Sequence, residues 1–452
     1  MKLEKQNRSL GKFLYGFLSL FVLFGCTNKL NKDTNVSGEN YLSFTEDGAW
    51  CWFSDPRALY FEGKHKRIYA GWMDSKGNVN AGYYDYSDKT IKSEIIRHNF
   101  EIDDHDTPSL FIDNKGYLFV FYSKHSKKEP IYLLKSSEPE VITKWEPEQR
   151  LALNDSLNYS QYSNTYTYTN IQQLSDEQNR LYLFWRGADF KPNFSISDDN
   201  GKSWTTGKIF ILPERIYRDR RPYIKISSNH KNAIHFAFTD GHPGNEPTNS
   251  IYYAKYKNGA LYKANGDEIM KWQDLPMDPK NADVVYDATQ TNEKAWIWDV
   301  AEDEQSNPVL VYVRFPNDTI HVYYYAIWNN NQWHNYKLVN SGTWFPENTD
   351  KAQREPNYSG GLVLDHRNPS IVYLSRQKEG IFEIEKWQTP DQGKIWERKE
   401  ITSHSEYNNV RPFVIRNYSE QDSLRILWMN TRKYVHYTDY DASIKMNLKM
   451  EE

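Results

Sequence analysis

Seven modules recur along this chain, each an apolar strand opened by a polar, proline- or glycine-bearing step and usually followed by a turn and a second strand. The steps are Asp55-Pro56-Arg57, Thr107-Pro108-Ser109, Thr169-Asn170-Ile171, Arg221-Pro222-Tyr223, Trp298-Asp299-Val300, Gly360-Gly361-Leu362 and Arg411-Pro412-Phe413. Their spacing, roughly 50 to 75 residues, is that of a four-stranded blade with its loops. Between the steps run β-branched and aromatic stretches such as 117–122 (YLFVFY), 181–185 (LYLFW) and 251–256 (IYYAKY). Turn clusters such as Asp113-Asn114-Lys115-Gly116 and Lys257-Asn258-Gly259 divide them. Such residues suit a pleated, half-buried surface, and few stretches carry a helical period. The pattern predicts an all-β fold, a single-domain seven-bladed β-propeller over residues 41–445 with a short tail from 446 to 452.

Two further marks support the blade reading. Ser197-Asp198-Asp199-Asn200-Gly201-Lys202-Ser203-Trp204 and Thr389-Pro390-Asp391-Gln392-Gly393-Lys394-Ile395-Trp396 both fit Ser/Thr-x-Asp-x-Gly-x-x-Trp. This is the Asp-box, or BNR repeat: Asp and Gly make a tight turn between outer strands and the Trp tucks beneath it. Its role is structural, and no catalytic part is assigned to it.

The first 26 residues stand apart from the repeats. Lys2, Lys5, Arg8 and Lys12 precede an apolar run over 13–24, too short to span a bilayer but suited to a signal-peptide core. The run closes on Leu23-Phe24-Gly25-Cys26, which resembles a bacterial lipobox. The expectation is a signal peptide over 1–25, a lipidated Cys26 and a polar tether over 26–40. Such a protein would be an outer-membrane lipoprotein, facing the periplasm or the cell surface. One other cysteine remains, Cys51, so no intrachain disulfide framework and no cysteine-based metal site are expected; a buried, inert thiol is. A net charge of −4 argues against nucleic acid as a partner. The 34 Tyr and 15 Trp fit both strands and a surface on which sugar rings stack. A monomer acting on an anionic glycan is the expected state.

A propeller gathers loops from several blades at one mouth of its channel, so site residues belong at blade starts and inner-strand ends. Three segments qualify. Asp103-Asp104-His105-Asp106-Thr107-Pro108 and Phe121-Tyr122-Ser123-Lys124-His125 flank the first two strands of module two. Two short antiparallel strands and a turn would return His125 to the end that holds His105. Tyr166-Thr167-Tyr168-Thr169-Asn170 and Trp185-Arg186-Gly187 repeat this arrangement one module later, and Asp219 to Lys225 opens module four with Arg221 and Tyr223. Tyr166 and Tyr168, two apart, are expected on one face of their strand.

Two His, an Arg and one or two Tyr without a carboxylate pair do not suit ordinary glycoside hydrolysis, which needs two Asp/Glu. They do suit elimination beside a carboxylate. Removing the proton on carbon 5 of a uronate drives charge onto its carboxylate, which Arg186 with His105 or His125 can neutralise. A base takes that proton and an acid protonates the oxygen leaving carbon 4, roles open to His or Tyr.

The chain resembles the BNR-repeat (BNR-4 type) propellers of Bacteroidota. The resemblance lies in Asp47 to Ala58, the His105-to-His125 segment, 181–187, Arg221-Pro222-Tyr223 and Thr239-Asp240-Gly241-His242-Pro243. That family includes ulvan lyases, rhamnosyl-glucuronate lyases and a rhamnosidase. The resemblance implies His105, His125, Tyr168 and Arg186 as the catalytic centre, with Tyr223, Arg221 and Tyr166 as substrate contacts. Some relatives carry a structural metal on His/Cys ligands. His235 and His242 lie near one another in this sequence, without a partnering Cys, so no metal and no cofactor are expected. The reading is a carbon–oxygen lyase eliminating at carbon 4 of a uronate in an ulvan-type glycan, as a polysaccharide lyase or as an oligosaccharide dehydratase. A rhamnosidase and a non-catalytic glycan-binding propeller remain as alternatives. A sialidase would need three arginines and a Tyr/Glu pair that cannot be placed.

Overall fold

The structure, a computed structural model, describes residues 40–154, 165–346 and 355–449; Cys26 and the leader and tether readings lie outside the described residues. Seven antiparallel sheets follow one another along the chain. Their inner strands are Ala58–Glu62, Ser109–Ile112, Thr167–Leu174, Ile224–Ser228, Lys294–Glu302, Leu362–Leu364 and Asn408–Val414, so every module start lies at or within an inner strand. Six blades have four strands, while blade four carries two more.

The ring is closed by a strand the repeats do not announce. Tyr41–Thr45 pairs with Asp439–Lys449 as the outermost strand of blade seven, joining the start of the described chain to its end. The tail expected from 446 is therefore strand as far as Lys449. Apolar residues at alternate positions pack one blade on the next. Between blades two and three, Phe119, Phe121, Leu181, Leu183 and Trp185 form one such layer, all of them buried.

Both Asp-boxes fold as their chemistry requires. The Gly201 amide donates to Ser197 Oγ at 2.9 Å and the Ser203 amide to Asp199 Oδ1 at 2.9 Å. In the second, the Gly393 amide donates to Thr389 Oγ1 at 2.7 Å and the Ile395 amide to Asp391 Oδ1 at 2.8 Å. Gly201 and Gly393 sit at φ +80° and +105°, where a side chain would be strained. Trp204 meets Phe121 edge-on at 5.9 Å and Trp396 meets Tyr325 at 5.1 Å, so each box ties its blade to the one before.

A buried ion pair locks blades one, two and seven. Arg411 Nη1 donates to Asp104 Oδ2 at 2.5 Å and to the Trp50 carbonyl at 2.7 Å, and neither charged side chain is exposed. Removing one partner leaves the other charge buried alone. Asp104→Ala is expected to cost about 3–5 kcal/mol of stability, read as a lower denaturant midpoint; an unchanged midpoint would refute the lock.

Candidate active site

In each blade the inner strand starts at one mouth of the channel and the second strand returns to it. The loop 50–53, 103–106, 123–126, the start of the third inner strand, Arg186, Tyr223, His242, Tyr358 and Tyr437 all lie at such stations. Trp52 stacks on Trp298 at 4.4 Å and packs against Phe53 and Trp296 at 5.0 and 5.4 Å, an aromatic cluster against which Tyr358, Tyr223 and His242 rest.

His105 and His125 come together as the hairpin register predicts. Ser109 faces Phe121 across the first two strands of blade two, and the imidazoles stack at 4.4 Å, only 13° from parallel. One carboxylate fixes both: Asp103 Oδ1 accepts from His105 Nδ1 at 2.8 Å and Asp103 Oδ2 from His125 Nδ1 at 2.9 Å. This directs both Nε2 atoms away from Asp103. His105 Nε2 meets Tyr358 Oη at 3.2 Å, whereas His125 Nε2 has no protein partner among the described residues. Burial first, then His105, lowers the His125 pKa to about 4, so the ring is a neutral acceptor at neutral pH. Burial alone would raise the Asp103 pKa, but His105 and His125 outweigh it and hold the carboxyl ionised.

Tyr168 reaches the mouth by a local distortion. Thr167 faces Arg186 and Asn170 faces Phe184, so two residues between them, Tyr168 and Thr169, oppose the single Trp185 on the other strand. Tyr168 takes φ +61°, a left-handed conformation that a bulky residue keeps only when its surroundings hold it. Asn170 Nδ2 supplies that hold, donating to the Tyr168 and Phe53 carbonyls at 3.0 and 2.8 Å. The inversion also corrects an expectation: Tyr166 does not share a face with Tyr168. Tyr166 is fully buried in the layer between blades two and three, 6.1 Å from Trp185, and its Oη accepts from the Asn154 amide at 2.7 Å. It is a packing residue, outside the mouth.

Arg186 is the most distinctive group present. Its Nη1 donates to Tyr223 Oη at 2.8 Å and its Nη2 to Ser126 Oγ at 2.7 Å, while its buried Nε has no partner. Aromatic faces cradle the charge: Tyr168 at 4.6 Å, Tyr223 at 5.5 Å and Phe190 at 5.6 Å. Among the described residues, the other buried arginines and lysines (Arg57, Arg67, Lys191, Lys225, Arg411 and Arg416) each face a carboxylate. Arg186 alone faces none. Arg221 is exposed, stacked over Phe190 at 4.0 Å, with no side-chain hydrogen bond to another of the described residues.

Four participants were missed or given no role by sequence reasoning. Asp103, which fixes both imidazoles, is one of them. His242 packs on Trp296 at 4.7 Å and Tyr223 at 5.4 Å, and burial, then Arg186, lowers its pKa to about 4. Tyr437 stands edge-on to His105 at 4.4 Å, and burial, then Asp103, raises its pKa to about 12. Tyr358 bonds His105. Their stations held the signal: His242 and Tyr437 follow second strands as His125 does, and Tyr358 precedes an inner strand as His105 does.

His235 sits early in the second strand of blade four, bonded to Tyr253 and Glu302, while His242 lies beyond that strand's other end, so the two do not meet. Ligating atoms of Asp103, His105 and His125 do lie within 4.8 Å of one another, as do those of Cys51, Asp104 and His105. A cysteine thus neighbours a histidine after all. Cys51 is otherwise as expected: buried, with burial and then Asp104 raising its thiol pKa to about 12.

The model of the BNR repeat-containing family matches residues 67–341. The chain belongs to this family. A curated ulvan lyase from Alteromonas sp. (strain LOR) is 24% identical over 242 residues, a match covering 47% of this chain and 47% of that protein, so about half of the relative's length is spanned. Among solved structures, a PL25 ulvan lyase bound to -[GlcA(1-4)Rha3S]- superposes with a TM-score of 0.67 at 15% identity, over 89% of this chain and 94% of that one. The polysaccharide lyase Uly1 gives a TM-score of 0.52 at 11% identity, over 91% and 98%. These two likenesses bear on the fold of this BNR propeller.

Proposed function

We propose that this BNR propeller is a carbon–oxygen lyase that eliminates at carbon 4 of a uronate in an ulvan-type glycan, leaving a 4,5-unsaturated uronate. The observation that carries the reading is Arg186, a buried cation with open hydrogen-bonding capacity, π faces around it and no carboxylate of its own. A substrate carboxylate supplies the missing counter-charge, and bidentate pairing orients it. Once that group is neutralised, the proton on carbon 5 becomes removable. His125 Nε2, neutral and unpartnered, takes it, and Tyr168 lies 6.1 Å ring to ring from His125 to support the developing enolate. The ulvan lyase named among the relatives supports a uronate-bearing glycan as substrate.

The leaving group is either the remainder of the chain, as in a polysaccharide lyase, or water from a terminal uronate, as in a dehydratase. Incubation with ulvan and with defined uronate-terminated oligosaccharides is expected to raise ultraviolet absorbance. A product shortened by whole residues marks a lyase, and one lighter by a single water marks a dehydratase. Free rhamnose without absorbance would overturn the elimination reading.

We also propose that Cys26 anchors the protein in the outer membrane, a reading supported by the basic start, apolar run and Leu-Phe-Gly-Cys order of the leader. Labelled palmitate is expected in the wild type and not in Cys26→Ser; equal labelling of both would refute it.

A further inference from the structure

The stacked imidazoles share Asp103 but differ at their far nitrogens. His125 Nε2 is open, whereas His105 Nε2 meets Tyr358 Oη at 3.2 Å. We propose that Asp103, His105 and Tyr358 form a proton relay in which Tyr358 is the acid that protonates the oxygen leaving carbon 4. This rests on the elimination reading above and adds a catalytic residue to it.

In this relay the mobile proton sits on His105. Its Nδ1 lies 2.8 Å from Asp103 Oδ1 and 3.3 Å from Asp104 Oδ1, two carboxylates, whereas His125 touches Asp103 alone. A doubly protonated His105 points its Nε2–H at Tyr358 Oη, which leaves the phenol's own hydrogen free for another acceptor. Tyr358 is itself held firmly, edge-on to Trp52 at 5.1 Å and beside Trp296 at 5.7 Å. Burial keeps its phenol protonated until an acceptor with developing negative charge arrives.

The step balances. The C5–H pair becomes the C4=C5 bond as His125 takes the proton. The C4–O bond breaks with its electrons on the oxygen, that oxygen takes the Tyr358 proton, and Tyr358 Oη takes the His105 Nε2 proton. After product leaves, water returns a proton along the relay and removes one from His125.

The test varies the leaving group. Wild type and Tyr358→Phe are compared on an oligosaccharide ending in glucuronate linked through carbon 4, and on its analogue bearing fluoride at carbon 4, which departs without protonation. Unsaturated uronate and released fluoride are measured. Tyr358→Phe is expected to lose about 10²–10⁴-fold in kcat/KM on the glycosidic substrate and to match wild type within about fivefold on the fluoride. An equal loss on both substrates, or no loss on either, overturns the relay while elimination stands. A wild type that forms no unsaturated uronate from either substrate overturns elimination and the relay together.

Discussion

Arg186→Ala is expected to lower kcat/KM on a uronate oligosaccharide by about 10²–10³-fold or more, the range for removing one preorganised donor from a charge-developing site. Most of the loss should fall in kcat, because charge on the carboxylate grows as the carbon 5 proton leaves, and an interaction stronger in the transition state than in the ground state acts there. Arg186→Lys should recover little. Lysine keeps the charge but not the planar fork that reaches Tyr223 and Ser126 at 2.8 and 2.7 Å, nor the stacking on Tyr168. Folding should survive, since no structural carboxylate loses its partner, in contrast to Asp104→Ala. A methyl-esterified uronate supplies the complementary readout. With no negative charge to pair, it should gain little from Arg186, so wild type and Arg186→Ala should differ far less on the ester than on the acid. Equal losses on both would remove Arg186 from the carboxylate.

The contrast between Arg186 and Arg411 explains what the sequence could and could not reveal. Both are buried arginines, Arg186 at the end of a second strand and Arg411 within an inner strand. Which of them carries a structural counter-ion depends on Asp104, which comes from another blade and meets Arg411 only once the ring closes. Pairings within one hairpin, by contrast, were legible. His105 with His125 and Tyr168 with Arg186 follow from strand lengths and antiparallel register, each confined to a few tens of residues. The blade count was legible for the same reason, because apart from the closing strand of blade seven each sheet is built from strands that follow one another along the chain, and each Asp-box from one turn.

Convergence across the ring was not legible. His242, Tyr358 and Tyr437 come from blades four, six and seven, and no local period relates them to blade two. The closing strand Tyr41–Thr45 was hidden likewise, since its partner lies at the far end of the described chain, at Lys449 for Tyr41. Tyr166 and Tyr168 illustrate a different limit. Alternation puts residues two apart on one face, but a bulge with one left-handed residue reverses that, and the cost of that conformation is met by Asn170 and the packing around Phe53.

His125→Gln should be as damaging as the loss of Arg186, for a different reason. It removes the acceptor for the carbon 5 proton while leaving a side chain of similar reach, and loss of a positioned base costs about 10²–10⁴-fold. Two pH readouts separate a base from a merely packed ring. With its pKa lowered to about 4 by burial and by His105, His125 stays neutral well below the ordinary histidine range, so the acid limb of wild-type kcat/KM should set in near pH 4 rather than near 6.5. The residual activity of the variant should lack that limb. Stability carries the second readout. A histidine whose folded pKa lies below its unfolded value takes up its proton more readily in the unfolded chain, so it contributes a loss of stability as pH falls from about 6.5 toward 4, and none above that window. His125→Gln removes this contribution, so its denaturation midpoint should fall less steeply between pH 6.5 and 4 than that of wild type. A variant that keeps both the acid limb and the wild-type slope would show that His125 neither accepts the proton nor titrates as its surroundings demand, and the base would have to be sought at Tyr168.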